Sequence, residues 1–359
     1  MNNTFHIKDL ISGILERIRE KSAGKTISLM EVCGTHTMAI SSFGLRGLLP
    51  NNIRLISGPG CPVCVTPNSL IDRAVAIAKR DDCIVTTFGD MMRVPGSSMS
   101  LSEVRSLGGD VRIVYSTMDA IRSARDNPDK KVIFLGIGFE TTAPTVAASI
   151  LTAHLNGVRN YSVLCAHKVM PPTMEALVIN KKIAIDGFIC PGHVSTIIGS
   201  KPYLFLAEHY YKACVIAGFE PLDVCQSIEM LVNQIIIRKP AVEIQYTRAV
   251  KPEGNPSALK VLHTVFEPCD AEWRGIGVIP GSGLKIRDIY STYDAEKVIP
   301  VTIEPLQEQE GCICGEILQG IKLPSECSLF KNLCTPERPI GACMVSSEGT
   351  CAAYYKYGV

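Results

Sequence analysis

Short runs of apolar and β-branched residues recur along the first two thirds of the chain, and each is followed by a glycine-rich or polar motif and then by a helical pattern. The runs cover residues 27–32, 53–57, 83–87, 111–115, 132–137, 161–165, 187–190 and 213–217. Such alternation predicts βα units with parallel sheets, because parallel strands need a crossover that is usually a helix. We predict an α/β fold with two consecutive Rossmann-like domains, 1–127 and 128–240, and a third region over 241–359.

Composition excludes several classes of function. The 36 lysines and arginines nearly balance the 35 aspartates and glutamates, and no basic run stands out, so nucleic acid and anionic membranes are not expected as partners. Residues 1–21 have the pattern of an amphipathic helix rather than a signal peptide, and no stretch reaches the ~18 apolar residues of a membrane span. We therefore expect a cytoplasmic protein, in which the fifteen cysteines indicate metal or redox chemistry.

One pair of these cysteines lies in the loop Gly58-Pro59-Gly60-Cys61-Pro62-Val63-Cys64-Val65-Thr66-Pro67. Glycine and proline favour a rigid loop there. Two thiols at this spacing can form a disulfide, share a metal ion or lower the pKa of one thiol. The alternative is two small buried side chains in a turn.

Polar motifs follow most of the predicted strands. Since ligands of open α/β sheets bind beyond the carboxyl ends of the strands, these motifs line one cleft if the two sheets face each other. Such thiol, imidazole and carboxylate groups suit a transition metal such as iron. Taken singly, His193 also fits a structural histidine, and the two carboxylates fit helix caps. The residues concerned are Cys33, His36, Cys61, Cys64, Asp90, Glu140, His167 and His193.

Residues 241–305 differ in character from the rest of the chain. They are rich in glycine and proline and contain the only tryptophan, in Trp273-Arg274-Gly275-Ile276-Gly277. We predict a connector that wraps on the preceding domain. The turn Pro280-Gly281-Ser282-Gly283 is not expected to bind phosphate, because no Gly-Lys-Ser/Thr follows it.

The tail is dense in cysteine. Four thiolates are the usual complement of an iron-sulfur cluster, and the prolines and glycines between them supply turns. Two thiols then remain for a dithiol beside the cluster, which would exchange electrons in pairs. Structural zinc is the alternative, since spacing alone does not separate the two metals. The six residues are Cys312, Cys314, Cys327, Cys334, Cys343 and Cys351.

Taken together and in order, seven motifs resemble those of the HypD family of hydrogenase maturation factors, from about residue 5 to the end. The resemblance implies two α/β domains and a C-terminal [4Fe-4S] region. It also implies a scaffold on which the Fe(CN)2CO group of [NiFe]-hydrogenase is assembled with a HypC-like chaperone and a HypE-like cyanide donor. The motifs are Cys33-Gly34-Thr35-His36, Gly58-Pro59-Gly60-Cys61-Pro62-Val63-Cys64, Thr87-Phe88-Gly89-Asp90-Met91, Val94-Pro95-Gly96-Ser97, Gly138-Phe139-Glu140-Thr141-Thr142, Cys190-Pro191-Gly192-His193 and Cys343-Met344-Val345-Ser346-Ser347-Glu348-Gly349.

The resemblance further implies roles for individual residues. Cys33 would be the iron ligand of this chain, completed by a cysteine of the HypC-like partner, with His36 and His193 nearby. Cys61 and Cys64 would form a dithiol next to the iron. By analogy with ferredoxin:thioredoxin reductase, the cluster ligands are Cys312, Cys327, Cys334 and Cys351, and the redox disulfide is Cys314 with Cys343.

Two other classes of function compete with this interpretation. A free-standing iron-sulfur disulfide reductase would use Cys61 and Cys64 on protein substrates and would need neither Cys33 nor His193. An interaction protein with a zinc-bound tail would have no visible chromophore.

Overall fold

The computed structural model describes residues 2–180, 182–303 and 310–358. All eight predicted runs form strands, with ends that differ from the prediction by two residues at most. The strands are β1 (Ile27–Glu31), β2 (Ile53–Ser57), β3 (Cys83–Thr87), β4 (Val111–Ile113), β5 (Lys131–Gly136), β6 (Tyr161–Cys165), β7 (Gly187–Pro191), β8 (Ala213–Ala217), β9 (Val242–Ile244), β10 (Phe266–Trp273) and β11 (Gly277–Ile286).

The first nine strands form two parallel sheets. The first sheet has the order β2-β1-β7-β8-β9, and the second has the order β4-β3-β5-β6. Strands β3, β7 and β8 are buried over their whole length, as expected for parallel strands covered on both faces. The predicted α/β class with parallel sheets and a cysteine-rich C-terminal region is therefore confirmed.

The division of strands between the sheets does not follow the predicted boundary at residue 127. The first sheet takes β1 and β2 from before this boundary and β7 and β8 from after it, while β3 to β6 form the second sheet. The second sheet is thus inserted between two parts of the first. The physical reason is that β1 pairs with β2 on one side and with β7 on the other, through Met30 opposite Ile56 and Phe188.

Helices cover the faces of both sheets. Helix α1, expected from the amphipathic pattern, packs on α12 and is tied to it by an ion pair between Arg17 and Glu229. The helices are α1 (Asn2–Ser22), α2 (Gly34–Ser42), α3 (Leu45–Leu48), α4 (Pro62–Val65), α5 (Asn68–Ala78), α6 (Leu101–Ser106), α7 (Thr117–Asp126), α8 (Ala143–Leu155), α9 (Met170–Ile179), α10 (Gly192–Ile198), α11 (Leu204–Glu208), α12 (Pro221–Ile236), α13 (Pro256–Val265), α14 (Ala295–Val298), α15 (Cys314–Leu318) and α16 (Thr350–Tyr357).

Short 3₁₀ turns complete the described elements, at Gly89–Arg93, Lys201–Tyr203, Asp288–Tyr293, Pro324–Glu326 and Ala342–Met344. No helix among the described residues is long and apolar enough to cross a membrane.

The largest cluster of buried side chains joins the two sheets to the C-terminal region. It contains Met30 of β1, Val85 of β3, Cys64 of α4 and Met344 of the tail. Burying one such side chain fully contributes roughly 1.5–3 kcal/mol, so this shared core holds the tail firmly against both sheets. The antiparallel hairpin β10-β11 contributes Trp273 to the same cluster. The predicted connector is therefore partly a regular hairpin packed into the core.

Candidate functional site

The carboxyl ends of β2, β1, β7 and β8 bring four loops side by side at one edge of the first sheet. Cys33 follows β1, Cys61 follows β2, His193 follows β7 and Phe219 follows β8. The chain continues from β1 to β2 on one side of β1, and the neighbour on the other side is β7. Such a reversal of strand order opens the crevice in which open α/β sheets bind ligands. We define the crevice site as Cys33, His36, His193, Phe219 and Glu348.

Cys33 stands directly before helix α2, in extended backbone conformation. Its thiol is nearly buried, and burial raises its pKa to about 12, although the backbone N–H groups of His36 and Thr35 act in the opposite direction. Its own backbone N–H donates to Oε2 of Glu31 over 3.4 Å. Glu31 is a fully buried carboxyl that also accepts from Thr37 Oγ1 over 2.6 Å, so it ties β1 to α2 on both sides of Cys33.

His36 presents one ring nitrogen without a hydrogen-bond partner among the described residues. Its Nε2 lies 2.9 Å from the carbonyl oxygen of Gly218. A carbonyl oxygen only accepts, so Nε2 carries the proton and Nδ1 keeps a free lone pair. Nδ1 is buried and unpartnered. Burial lowers the pKa of His36 to about 4, so the ring is neutral near pH 7 and the lone pair of Nδ1 is available to a metal ion.

His193 and His36 both stack on Phe219. The ring centroids of His193 and Phe219 are 3.9 Å apart, and those of His36 and Phe219 are 4.7 Å apart. His193 is more exposed than the fully buried His36. Burial lowers the pKa of His193, while the charge of Glu348 acts in the opposite direction. Phe219 therefore fixes the planes of both imidazoles at the edge of the crevice.

Glu348 reaches the crevice from the C-terminal tail. Its Oε1 accepts a hydrogen bond from Thr35 Oγ1 over 2.8 Å. A Cβ on Gly34 would lie 2.6 Å from Cβ of Glu348, so glycine is needed for this close approach. The charge of Glu348 acts on both Cys33 and His193. The tail thus supplies a carboxylate to a site whose other members come from the first sheet.

Cys61 stands directly before the short helix α4, and Cys64 lies within it. The sulfur of Cys61 caps this helix by accepting from the backbone N–H of Cys64 over 3.3 Å. Both thiols are buried, and burial followed by the hydrogen bond with Cys61 raises the pKa of Cys64 well above its usual range. The backbone N–H of Gly34 donates to the carbonyl oxygen of Gly60 over 3.0 Å, which joins this loop to the Cys33 loop.

The contact between these two loops leads to a prediction about stability. A Cβ on Gly60 would overlap the backbone of Cys33, so Gly60→Ala is expected to destabilise the fold by roughly 1–3 kcal/mol. A Cβ on Gly47 in α3 would meet nothing within 4 Å, so Gly47→Ala is the matched control and is expected to be neutral or stabilising. Thermal unfolding of the two variants measures the difference, and equal midpoints would contradict it.

The six tail thiols line one pocket, together with Leu329, Phe330 and Met344. The sulfur atoms of Cys343 and Cys351 are 3.1 Å apart. Hydrogen bonding with Cys312 lowers the pKa of Cys314, but hydrogen bonding with Cys343 and burial raise it. The pKa of Cys314 is therefore well above its usual range. Cys314 and Cys343 are therefore neighbours at the centre of a row that continues to Cys312 and Cys351. Which of the six bind a cluster and which form a disulfide stays a prediction.

Across residues 2–180, 182–303 and 310–358, no group of three or more His, Cys, Asp or Glu side chains is arranged to hold a metal ion as it stands. The six thiols of the tail pocket nevertheless suit a metal that prefers sulfur ligands. The other residues that line this pocket are apolar apart from Gly341. The residues present therefore fit a group bound by thiolates.

The two groups of thiols lie next to each other. The sulfur of Cys64 is 3.9 Å from the carbonyl oxygen of Ala342, the residue before Cys343. The charges of Cys343 and Cys314 also act on Cys64. The Cys61-Cys64 pair consequently lies between the crevice and the tail pocket.

Three residues expected in the same cleft belong to other surroundings. Asp90 is exposed on a 3₁₀ turn after β3. Glu140 accepts from the backbone N–H of Met170 over 2.9 Å, at the start of α9. His167 lines a separate pocket with Cys165 and Cys269. All three follow strands of the second sheet, so the expectation of one shared volume is wrong for them.

The sequence analysis did not identify four residues that lie at these sites. Glu31, Phe219 and Glu348 stand within or beside recognised motifs, yet their contacts depend on how the loops pack. Arg274 follows the single tryptophan and lies beside the tail thiols. The signal that was present is their position: Glu31 and Phe219 stand at the carboxyl ends of β1 and β8, and Glu348 is adjacent to Gly349 in the last motif.

Fold and site together define an α/β protein with a thiol and imidazole crevice at the edge of one parallel sheet and a pocket of six thiols in its tail. The chain belongs to the HypD family, since the HypD family model, described as the hydrogenase formation hypA family, matches residues 9–358.

Relatives agree with this assignment. Hydrogenase maturation factor HypD2 of Bradyrhizobium diazoefficiens is 48% identical over 363 residues, covering 99% of this chain and 96% of the relative. Hydrogenase maturation factor HypD of Cupriavidus necator is 46% identical, with coverage of 99% and 96%. Hydrogenase maturation factor HypD of Escherichia coli is 44% identical, with coverage of 98% and 96%. The resemblance noted in the sequence motifs is confirmed.

Proposed function

We propose that this protein is a cytoplasmic scaffold on which an iron atom with cyanide and carbonyl ligands is assembled during maturation of [NiFe]-hydrogenase. The observation that carries the proposal is the meeting of Cys33, His36 with its free Nδ1, and the Cys61-Cys64 loop at one sheet edge. A low-spin ferrous centre with cyanide and carbonyl ligands is soft, so a thiolate such as that of Cys33 suits it.

In this proposal the crevice supplies one cysteine ligand, and a second protein supplies another. A HypC-like chaperone would complete the sulfur ligation of the iron, and a HypE-like protein would deliver cyanide. His36 and His193 then lie where they can orient the iron ligands or hold a proton, because both rings are fixed against Phe219.

The tail thiols would bind a resident [4Fe-4S] cluster, with Cys312, Cys327, Cys334 and Cys351 as ligands and Cys314 with Cys343 as a redox pair. Such a cluster supplies electrons one at a time. The chain's own thiols convert them into pairs, since reduction of one disulfide to two thiols takes two electrons and two protons. Release of cyanide from a thiocyanate-bearing donor needs the same number of electrons. The contact between Cys64 and Ala342 makes an exchange between the two thiol groups geometrically reasonable.

The test is anaerobic purification of the chain together with a HypC-like protein, followed by infrared spectroscopy in the cyanide and carbonyl stretching region. We expect cyanide and carbonyl bands from the crevice iron. We also expect a brown chromophore, with about four irons per chain in addition to the crevice iron.

Two outcomes would contradict parts of the proposal. A complex without cyanide and carbonyl bands, purified from cells that make active [NiFe]-hydrogenase, would contradict the scaffold role. A colourless protein with about one zinc per chain would contradict the cluster and favour the structural zinc site.

A further inference from the structure

Glu31 places a carboxyl group in the core directly beside the Cys33 loop. The residue ends β1, and its side chain is fully buried. A buried carboxylate is costly unless hydrogen bonds satisfy both of its oxygens, and an apolar side chain of similar volume often stabilises a fold equally well or better. The presence of a carboxyl group at this position therefore indicates a role other than stability.

The two oxygens of this carboxyl group hold the two ends of one short segment. Oε1 accepts a hydrogen bond from Thr37 Oγ1 over 2.6 Å, and Oε2 accepts one from the backbone N–H of Cys33 over 3.4 Å. The carbonyl oxygen of Cys33 accepts from the backbone N–H of Thr37 over 3.0 Å. Both backbone groups of Cys33 are thus held, so the rotation of its side chain is the main freedom that its thiol keeps.

The same contacts fix the imidazole of His36. Helix α2 carries His36 directly before Thr37, so the bond from Thr37 to Glu31 ties this turn of the helix to β1. The contact of His36 Nε2 with the carbonyl oxygen of Gly218 holds the ring from the other side, over 2.9 Å. The carboxyl group of Glu31 therefore sets where the thiol of Cys33 lies relative to the free Nδ1 of His36.

The backbone of Glu31 also holds the second thiol loop, which begins at Gly58. The carbonyl oxygen of Glu31 accepts from the backbone N–H of Gly58 over 2.7 Å, and a Cβ on Gly58 would lie only 2.9 Å from that oxygen. Ser57, opposite Glu31 in the register of β1 and β2, accepts a hydrogen bond from Arg46 Nη2 over 2.9 Å. Glu31 consequently lies where both thiol loops leave the sheet.

We propose that Glu31 is a positioning residue whose carboxyl group holds the thiol of Cys33 and the ring of His36 in the arrangement that binds the iron substrate. The inference rests on the proposed scaffold function, since it concerns the same crevice. Glu31 does not touch the iron and acts through the backbone of Cys33 and through Thr37. Side chains that are already held in the binding arrangement lose less freedom when the metal arrives, so they bind it more tightly.

The test measures the freedom of the Cys33 loop in the full reduced chain, without iron or partner. The chain is labelled with iodoacetamide at about pH 8.5, near the ordinary pKa of a thiol. Burial raises the pKa of Glu31 to about 7, so its carboxyl group is ionised under these conditions. Mass spectrometry of peptides gives the labelling rates of Cys33 and of Cys225, which is buried on α12. The ratio of the two rates separates local opening at Cys33 from unfolding of the whole chain.

Two substitutions of Glu31 separate hydrogen bonding from charge. Glu31→Met keeps the approximate size but leaves the backbone N–H of Cys33 without an acceptor, so the ratio is expected to rise about tenfold. Glu31→Gln removes the charge too, yet its amide oxygen can accept from Cys33 while its NH2 donates to Thr37 Oγ1. Its ratio is therefore expected to stay close to that of the parent chain.

The matched control is Asp72→Leu, which removes a different buried carboxylate. Asp72 lies on α5 and accepts from the backbone N–H of Ser97 over 2.7 Å and from Ser97 Oγ over 2.6 Å. The ratio of the Cys33 and Cys225 rates is expected to stay within about twofold of the parent in this control. In the partner-bound complex, Glu31→Met is expected to weaken the cyanide and carbonyl bands, whereas Glu31→Gln is expected to keep them.

Three results would overturn the inference. They are a ratio in Glu31→Met within about twofold of the parent, an equal rise in Glu31→Met and Glu31→Gln, and bands of full intensity in the Glu31→Met complex. If Glu31→Met does not fold, Thr37→Val and Thr37→Ser decide. The valine removes the hydroxyl that binds Glu31 and is expected to raise the ratio, while the serine keeps it, and equal ratios would overturn the inference.

Failure of this inference is distinguishable from failure of the proposed function. A parent complex without cyanide and carbonyl bands, together with a raised ratio in Glu31→Met, would contradict the proposed function alone. Intact bands in the parent complex with an unchanged ratio in Glu31→Met would contradict only the role of Glu31.

Discussion

Cys33→Ala is expected to abolish the cyanide and carbonyl infrared bands of the partner-bound protein while leaving the brown tail chromophore intact. Cys33 stands directly before α2, the helix that carries His36 with its free lone pair, at the carboxyl edge of the first sheet. The tail thiols surround their own pocket, which Cys33 does not line. A lost thiolate removes a bond to iron that an alanine cannot replace.

The measurement is infrared spectroscopy and iron content of the variant purified with its HypC-like partner without oxygen. Cys225→Ala is the matched control, because Cys225 is a buried cysteine on α12 in a different part of the core. The control is expected to keep both the bands and the chromophore. Bands of full intensity in Cys33→Ala would show that the ligand assignment is wrong.

Much of the fold was predictable because the strands of parallel sheets are short apolar runs with distinct ends. The sequence does not reveal which strands are neighbours, since β3 and β7 are both buried over their whole length and either pairing buries them equally well. The insertion of the second sheet into the first depends on the pairing of Met30 with Phe188, more than 150 residues apart. Strand β9 was missed because it has only three residues, none of them fully buried.

The candidate site was predictable where its members follow strands. Cys33, Cys61 and His193 were identified from this position, and the structure brings their loops to one sheet edge. Asp90 follows a strand too, but of the other sheet, so the same rule misplaced it. Glu348 and Arg274 are placed by long-range packing of the tail and of the hairpin, for which no local pattern exists. Their positions became visible only through the contacts with Thr35 and Thr66.

Cys61→Ala and Cys64→Ala are each expected to bind the HypC-like partner and retain iron, yet to lose turnover of the cyanide donor. The loop does not depend on a bridge between these thiols for its conformation. Gly60 accepts from Gly34, Thr66 Oγ1 donates to the carbonyl oxygen of Pro62 over 2.8 Å, and Val65 accepts from Arg274. A thiol that relays electrons can therefore be removed without loss of the binding surface.

The alternative is that Cys61 and Cys64 are permanent iron ligands, and the two mechanisms differ in iron content. If both thiolates bind iron, removing one of them lowers the iron content and the turnover of the cyanide donor together. We favour the relay because Cys64 faces the tail, where its sulfur lies 3.9 Å from the carbonyl oxygen of Ala342. In the proposed scaffold, Cys33 and a partner thiol would already give the iron two sulfur ligands. Iron stoichiometry and donor turnover measured in the same preparations decide between the mechanisms, with Cys83→Ala on β3 as the control for loss of a buried thiol. Iron lost in step with turnover would contradict the relay, and iron retained without turnover is the expected result.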